Sequence, residues 1–327
     1  MRRRRFISFI GGAAAWPLAV RAQQPSLPVI GILAVAAPEA NAIRLSAFRE
    51  GLRTAGYIEG QNVKIEYRWA EAHTGRLPEL AAGLVRDRVA VLVAAGGVAS
   101  AVAAKAATSE IPIVFGTGAD PVELGLVASL NRPGGNVTGV RSLNQEVAQK
   151  RLKLLHELLP SVTSMALLVN PAVPATAGRV SRSSQTAAQA LGFQLLIVNA
   201  STDRDFDAVF ERLTELRVGA LAIAPDTLFT AHSEQLARLT VRHRIPAVYE
   251  FREFAAAGGL MSYGSSETEY YRLVGAYAGR VLKGDKPADL PVQQSTKVEL
   301  FLNLKTARAL GITVPLPLSG RADEVIE

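Results

Sequence analysis

Five elements of this sequence occur twice, in the same order, at spacings between 130 and 136 residues. Val29-Ile30-Gly31-Ile32-Leu33-Ala34 reads as a buried strand, and Ser164 to Asn170 repeats it about 135 positions later. A helix ending at Ala55-Gly56-Tyr57 has its counterpart ending at Leu191-Gly192-Phe193. Lys64 to Ala70 corresponds to Gln194 to Ala200, and Ala90 to Ala94 corresponds to Ala220 to Ala224. Ile111-Pro112-Ile113-Val114-Phe115 returns as Ile245-Pro246-Ala247-Val248-Tyr249. Few identities are shared, so the repeat lies in the pattern. A period this long exceeds that of a solenoid and points to two similar lobes.

Within each copy, continuous apolar runs of strand length alternate with Ala/Leu-rich helical segments. Strands without polar alternation belong to a parallel sheet covered by helices on both faces. The fold class is therefore α/β, with two Rossmann-like lobes. In such sheets ligands gather at the carboxyl ends of the strands, where turns into helices leave backbone N–H groups free. Two lobes facing each other through those ends form a cleft, and a hinged cleft can close over a small molecule. The expected first lobe comprises residues 27–142 plus 252–290, and the second 143–251 plus 291–327. The chain would cross between them near Leu143, Phe251 and Pro291.

The N-terminus predicts export. Arg2 to Arg5 precede an apolar stretch from Phe6 to Val20, and Val20-Arg21-Ala22 ends in a small residue suited to cleavage. Arg3-Arg4-Arg5-Phe6-Ile7 also fits the twin-arginine form. The apolar stretch is short of the roughly 20 residues that span a bilayer. Residues 1–22 are thus read as a signal peptide, with the mature chain starting at Gln23. The whole sequence has 36 Lys and Arg against 29 Asp and Glu, a net charge of +7. The leader holds five arginines and no acid, so the mature chain carries only +2. With no basic stripe interleaved with aromatics, nucleic acid is not an expected partner. The sequence has no cysteine, which removes disulfides, thiolate metal sites, cysteine nucleophiles and acylation on cysteine.

Several local motifs carry a family resemblance. They are Ala47-Phe48-Arg49-Glu50-Gly51-Leu52, Gly56-Tyr57-Ile58-Glu59-Gly60-Gln61-Asn62-Val63 and Ile65-Glu66-Tyr67-Arg68-Trp69-Ala70. Further along come Asp120-Pro121-Val122, Arg132-Pro133-Gly134-Gly135-Asn136-Val137-Thr138-Gly139 and Gly258-Gly259-Leu260-Met261-Ser262-Tyr263-Gly264. Together with the Ile-Pro strand at 111, they resemble the ABC-transporter substrate-binding proteins that include tryptophan/tyrosine-type members. The resemblance covers essentially all of the mature chain. It implies a type I periplasmic-binding-protein fold, a periplasmic location and delivery of ligand to a membrane permease driven by a separate ATPase. A soluble monomer is the expected state, and the ligand's identity is left open.

Binding candidates sit at the strand ends. Ala94-Ala95-Gly96-Gly97-Val98-Ala99-Ser100 follows a strand and opens a helix. Gly96 and Gly97 permit close backbone approach, and the free amides from Gly97 through Val98 to Ser100 favour an anion. The bland alternative is a tight turn. Gly116-Thr117-Gly118-Ala119-Asp120-Pro121 is the next such turn, where Thr117 offers a hydroxyl and Asp120 reads equally as a helix cap. Pro121 in place of the last glycine spoils a dinucleotide fingerprint, so no cofactor is expected. In the second lobe, Asn170, Asp226, Tyr249 and Glu250 stand at the matching strand ends, offering acceptors for an ammonium and an aromatic wall. Asp226 reads equally as a helix cap and Tyr249 as a core residue.

Catalysis has little support. His73, His156, His232 and His243 lack metal-ligand spacing, and neither a nucleophile elbow nor a phosphate loop occurs. No catalytic residue and no metal site is expected. The reading is a solute-binding component that captures a small carboxylate-bearing ligand such as an amino acid. An exported α/β enzyme and a ligand-sensing receptor are the alternatives.

Overall fold

The computed structural model describes residues 27–36, 42–71 and 73–327. The predicted signal peptide lies outside them. In the first lobe, β1 (Val29–Ala34), α1 (Ala42–Thr54), β2 (Lys64–Trp69) and α2 (Leu77–Arg86) are followed by β3 (Val91–Ala94) and α3 (Val98–Ala107). Then come β4 (Ile113–Thr117) and β5 (Val137–Arg141). The central strands β1, β3 and β4 are buried almost throughout, whereas the edge strand β2 is half-buried. That is the burial expected of a sheet covered on both faces.

The second lobe repeats the scheme. It contains α4 (Ala148–Leu158), β6 (Ser164–Val169), α5 (Pro174–Leu191), β7 (Gln194–Asn199), α6 (Asp205–Glu215) and β8 (Ala220–Ile223). It continues through α7 (Thr227–Ala231), α8 (Ser233–Arg242), β9 (Ala247–Tyr249), α9 (Arg252–Ala256) and β10 (Met261–Ser265). The spatial order β5-β4-β3-β1-β2 in one sheet matches β10-β9-β8-β6-β7 in the other, all parallel. The internal repeat of the sequence is therefore a repeat of topology. Each sheet has one apolar cluster on either face, built around Phe48 and Phe115 in the first lobe and Leu155 and Phe210 in the second.

After β10 the chain returns to the first lobe as α10 (Glu267–Leu282) and β11 (Gln293–Gln294), which joins β5. It then re-enters the second sheet as β12 (Val298–Asn303), antiparallel to β10. The chain closes with α11 (Leu304–Ala309), α12 (Leu316–Ser319) and β13 (Glu324–Ile326), the last pairing with β12. Helix α10 lies along α1 at close range. A side chain on Gly51 would strike the Arg272 carbonyl, and one on Gly275 would strike the Phe48 carbonyl. Glycine inside a helix costs about 0.5–1 kcal/mol against alanine, and here it permits backbone contact between two helices.

Two of the expected lobe boundaries move. The second crossing is at Ser265-Ser266 rather than near Phe251, because α9 and β10 stay in the second lobe. Strand β10 is the counterpart of β5, and without it the β9 edge would stand unpaired. The third crossing runs from Ser295 to Lys297, a few residues beyond Pro291. The first falls at Ser142–Leu143, directly after β5. The crossings are tied together: Leu143 N donates to Ser265 Oγ at 2.8 Å and Ser265 N to Asn144 Oδ1 at 2.7 Å. Ser266 N donates to Lys297 O at 2.9 Å, and Ser295 N to Arg141 O at 2.9 Å. Among the described residues, no helix is long and apolar enough to cross a membrane.

Candidate ligand-binding site

A cavity of about 140 Å³ lies between the lobes, at the carboxyl ends of both sheets. The first lobe contributes the turns after β1 (Ala34, Val35, Ala36), β3 (Ala95, Gly96, Gly97) and β4 (Thr117, Gly118, Ala119). The second contributes Asp226, Thr227 and Thr230 with Glu250 and Phe251. The crossings supply Ser142, Asn144, Gln145 and Ser265, and α10 supplies Glu267, Tyr270 and Tyr271.

The first-lobe face presents backbone. Gly97 precedes α3 with φ 92° and ψ −164°, a conformation open in practice only to glycine. No side chain caps α3: Ser100 is buried and its hydroxyl donates back to Gly97 O at 3.0 Å. Val98 and Ala99, which open α3 and share the partial positive charge of a helix start, line the cavity. Gly97 is also where the lobes touch, since a Cβ there would sit 2.5 Å from Thr227 Cγ2. Thr117 is buried in the wall, its Oγ1 accepting from Ala119 N at 3.0 Å. Gly116 lies behind the wall, leaving room for the Tyr270 hydroxyl. Asp120 takes its bland role. Its Oδ1 accepts from Val122 N at 2.8 Å and Glu123 N at 3.3 Å, and it lines a small neighbouring recess instead of the cavity.

The second-lobe face presents carboxylates. Asp226 caps α7 through Leu228 N, 2.8 Å from Oδ1, and the same oxygen accepts from Asn170 Nδ2 at 3.0 Å. Asn170 itself stands behind the wall and orients Asp226, its own Oδ1 accepting from Ala172 N at 3.0 Å. Burial raises the Asp226 carboxyl above the ordinary aspartate range, against these two hydrogen bonds. Glu250 is 5 % exposed and reaches the cavity. Burial pushes its carboxyl up to about 7, while the nearby Arg151 cation pulls it back down. Tyr249 is not the aromatic wall expected from its position. It is fully buried behind Glu250, with its hydroxyl 2.8 Å from Thr230 Oγ1, 3.2 Å from Asp226 O and 3.3 Å from Glu250 Oε1. The aromatic wall is Phe251, Tyr270 and Tyr271.

The sequence did not single out Arg44, Glu267, Tyr270 or Tyr271. Arg44 is buried in the cavity wall, with Nε 2.9 Å and Nη2 2.8 Å from Glu267 Oε1. Its guanidinium lies 6.0 Å from the Phe251 ring centroid, so this side chain touches both lobes. Burial raises Glu267 well above the usual carboxylate range, opposed by Arg44 and reinforced by Glu253. The pair is separated by 223 positions, beyond any local sequence signal. The start of α10 was readable, since Ser266 followed by Glu269 has capping-box spacing. Among the described residues, no three His, Asp or Glu side chains converge as a metal-binding group.

Residues 29–326 match the family model described as ABC transporter substrate binding protein. A tyrosine-binding protein of Clostridioides difficile is 27% identical over 80% of this chain and 75% of its own. The structure of an ABC domain in complex with L-Trp, from Streptococcus pneumonia, aligns over 92% of this chain and 100% of its own, with a TM-score of 0.84 and 25% identity. A conserved domain protein from Vibrio cholerae aligns over 91% and 99%, with a TM-score of 0.83 and 26% identity. With the repeated α/β lobes and the cleft between them, the match over nearly every described residue establishes that this chain belongs to the ABC transporter substrate-binding protein family and has the type I periplasmic-binding-protein fold.

Proposed function

We propose that the mature protein captures an amino acid in the periplasm and hands it to a membrane permease, performing no chemistry on it. The observation that carries this reading is the polarity of the cavity. Backbone amides at the start of α3 lie on one face, and Asp226 and Glu250 on the other. An α-amino acid presents a carboxylate to the first and an ammonium to the second. A helix start is worth about 0.3–1 kcal/mol to an anion and up to about 2 where partly buried. A desolvated ammonium without a counter-charge is costly, and Asp226 and Glu250 supply that charge. Phe251, Tyr270 and Tyr271 line the same cavity, and the relatives named for tyrosine or solved with L-Trp support an aromatic side chain between them. Capture proceeds by lobe closure about the three crossings, and the basic, apolar leader carries the chain out of the cytoplasm.

Native mass spectrometry of protein purified from periplasmic extract, followed by a thermal-shift panel of the twenty amino acids, tests the reading. An aromatic amino acid that co-purifies or raises the Tm is expected. No stabilisation by any of the twenty, with stabilisation instead by sugars or amine-free acids run beside them, would overturn it.

A further inference from the structure

The first-lobe face of the cavity carries a polar group that its surroundings leave unused. Tyr270, in the first turn of α10, lines the cavity and is only 8 % exposed. Its ring stands edge-on to that of Tyr271, with centroids 5.2 Å apart and planes at 85°. The two hydroxyls differ in what they reach. Tyr271 donates to Ala95 O at 2.7 Å, in the turn between β3 and α3, and Ser100 donates to Gly97 O of the same turn at 3.0 Å. The Tyr270 hydroxyl has no hydrogen-bond partner among the described residues. Gly116 fixes where it lies. A side chain at Gly116 would strike the Tyr270 hydroxyl and come within 3.2 Å of Ala95 Cα. The hydroxyl therefore sits between the ends of β3 and β4, beside the turn that opens α3. This gives a use to a glycine that the sequence places in a ligand-binding turn but that does not line the cavity.

We propose that the Tyr270 hydroxyl is a ligand-binding group that donates a hydrogen bond to the ligand's carboxylate, with Gly116 kept small to hold it there. The proposal rests on the amino-acid reading given above. A buried hydroxyl without a partner is costly, and a ligand atom that takes up the bond removes that cost. Burial holds the phenol well above the usual tyrosine range, with Tyr271, Glu267 and Glu250 acting in the same direction and Arg44 against them. The group therefore keeps its proton and donates. Its place favours the carboxylate over the ammonium. It stands on the first-lobe side with the start of α3, at the positive end of the helix dipole, whereas Asp226 and Glu250 approach from the second lobe. A neutral donor added to that dipole stabilises an anion without bringing in a cation, which in a closed cleft would need a counter-charge of its own.

Calorimetry with L-tyrosine, L-tryptophan and their carboxylate-free amines, tyramine and tryptamine, tests this on the mature wild type, Y270F and G116A. Y270F keeps the ring and removes only the oxygen. It should weaken whichever amino acid binds by about tenfold or more, as for a hydrogen bond to a charged group. The corresponding amine should change by less than about threefold. G116A, which displaces the hydroxyl, should weaken the amino acid, and adding it to Y270F should weaken binding less than adding it to wild type. An amino-acid affinity unchanged in Y270F overturns the proposal and leaves the amino-acid reading in place. So does an equal fall for amino acid and amine, which would put the hydroxyl on another part of the ligand. A G116A effect of the same size in both backgrounds also overturns it, because Gly116 would then act apart from the hydroxyl. A wild type that binds the amines as tightly as the amino acids, or binds none of the four, removes the underlying reading itself, and the proposal with it.

Discussion

The Arg179 guanidinium on α5 pairs with the Glu123 carboxylate of the first lobe, so one ion pair bridges the mouth of the cleft. Both side chains are well exposed, at 40% and 58%. Exposed pairs are worth about 0.2–1 kcal/mol and are screened by salt. E123Q or R179Q should therefore weaken ligand affinity by no more than about fivefold, chiefly through faster release. Stopped-flow dissociation at low and high salt checks this. The wild-type rate should rise with salt and the variant rates should not.

Gly97 and Thr227 test closure at its tightest point. G97A places a methyl 2.5 Å from Thr227 Cγ2 and forces alanine to φ 92°. The backbone strain alone costs of order 1–3 kcal/mol. Affinity should fall by more than about tenfold, or 1.4 kcal/mol. G97A/T227S, which removes Cγ2, should recover part of the loss and leave the backbone part. Small-angle scattering with saturating ligand should show G97A less contracted than wild type.

The acidic face sets the pH behaviour. Glu250 is held above the ordinary glutamate range, at about 7, and Asp226 and Glu267 are raised as well. A folded-state value above the unfolded one contributes stability fully present below the unfolded value, about 4.3 for Glu, and lost as pH rises through the folded one. Ligand-free protein should therefore have a lower Tm at pH 8 than at pH 5. An ammonium needs the carboxylate, so affinity for an amino acid should rise from pH 5 to pH 8 and flatten above about 7. Calorimetry at pH 6 in buffers of different ionisation enthalpy should detect proton release on binding. E250Q should lose most of that release.

The fold was legible to the extent that its determinants are local. Val29–Ala34, a continuous apolar run after Pro28, and Leu77–Arg86, with Pro78 in its first turn, form as expected. The glycine turn before α3 was equally plain, and the backbone at Gly97 is one that only glycine adopts readily. The second crossing was misplaced because what keeps β10 in the second lobe is the open edge of β9, a long-range demand. Tyr249 illustrates the limit for side chains. A strand end was readable, but whether its ring faces the cleft or the core depends on α7 and on Thr230 above it. Arg44 and Glu267 escaped for the same reason, since each acquires its role from residues on other elements.

The central claim is a cleft that reads both charges of an amino acid, and calorimetry with one binding amino acid and its carboxamide tests it most directly. The mature wild type is titrated with each compound at pH 8, where Glu250 is ionised, and D226N is then titrated with the amino acid. Charge-assisted hydrogen bonds are worth about 1.5–3 kcal/mol each. The amide should therefore bind at least about tenfold more weakly than the acid, and D226N should lose a similar factor. Equal affinity for acid and amide, with D226N unchanged, would contradict the account.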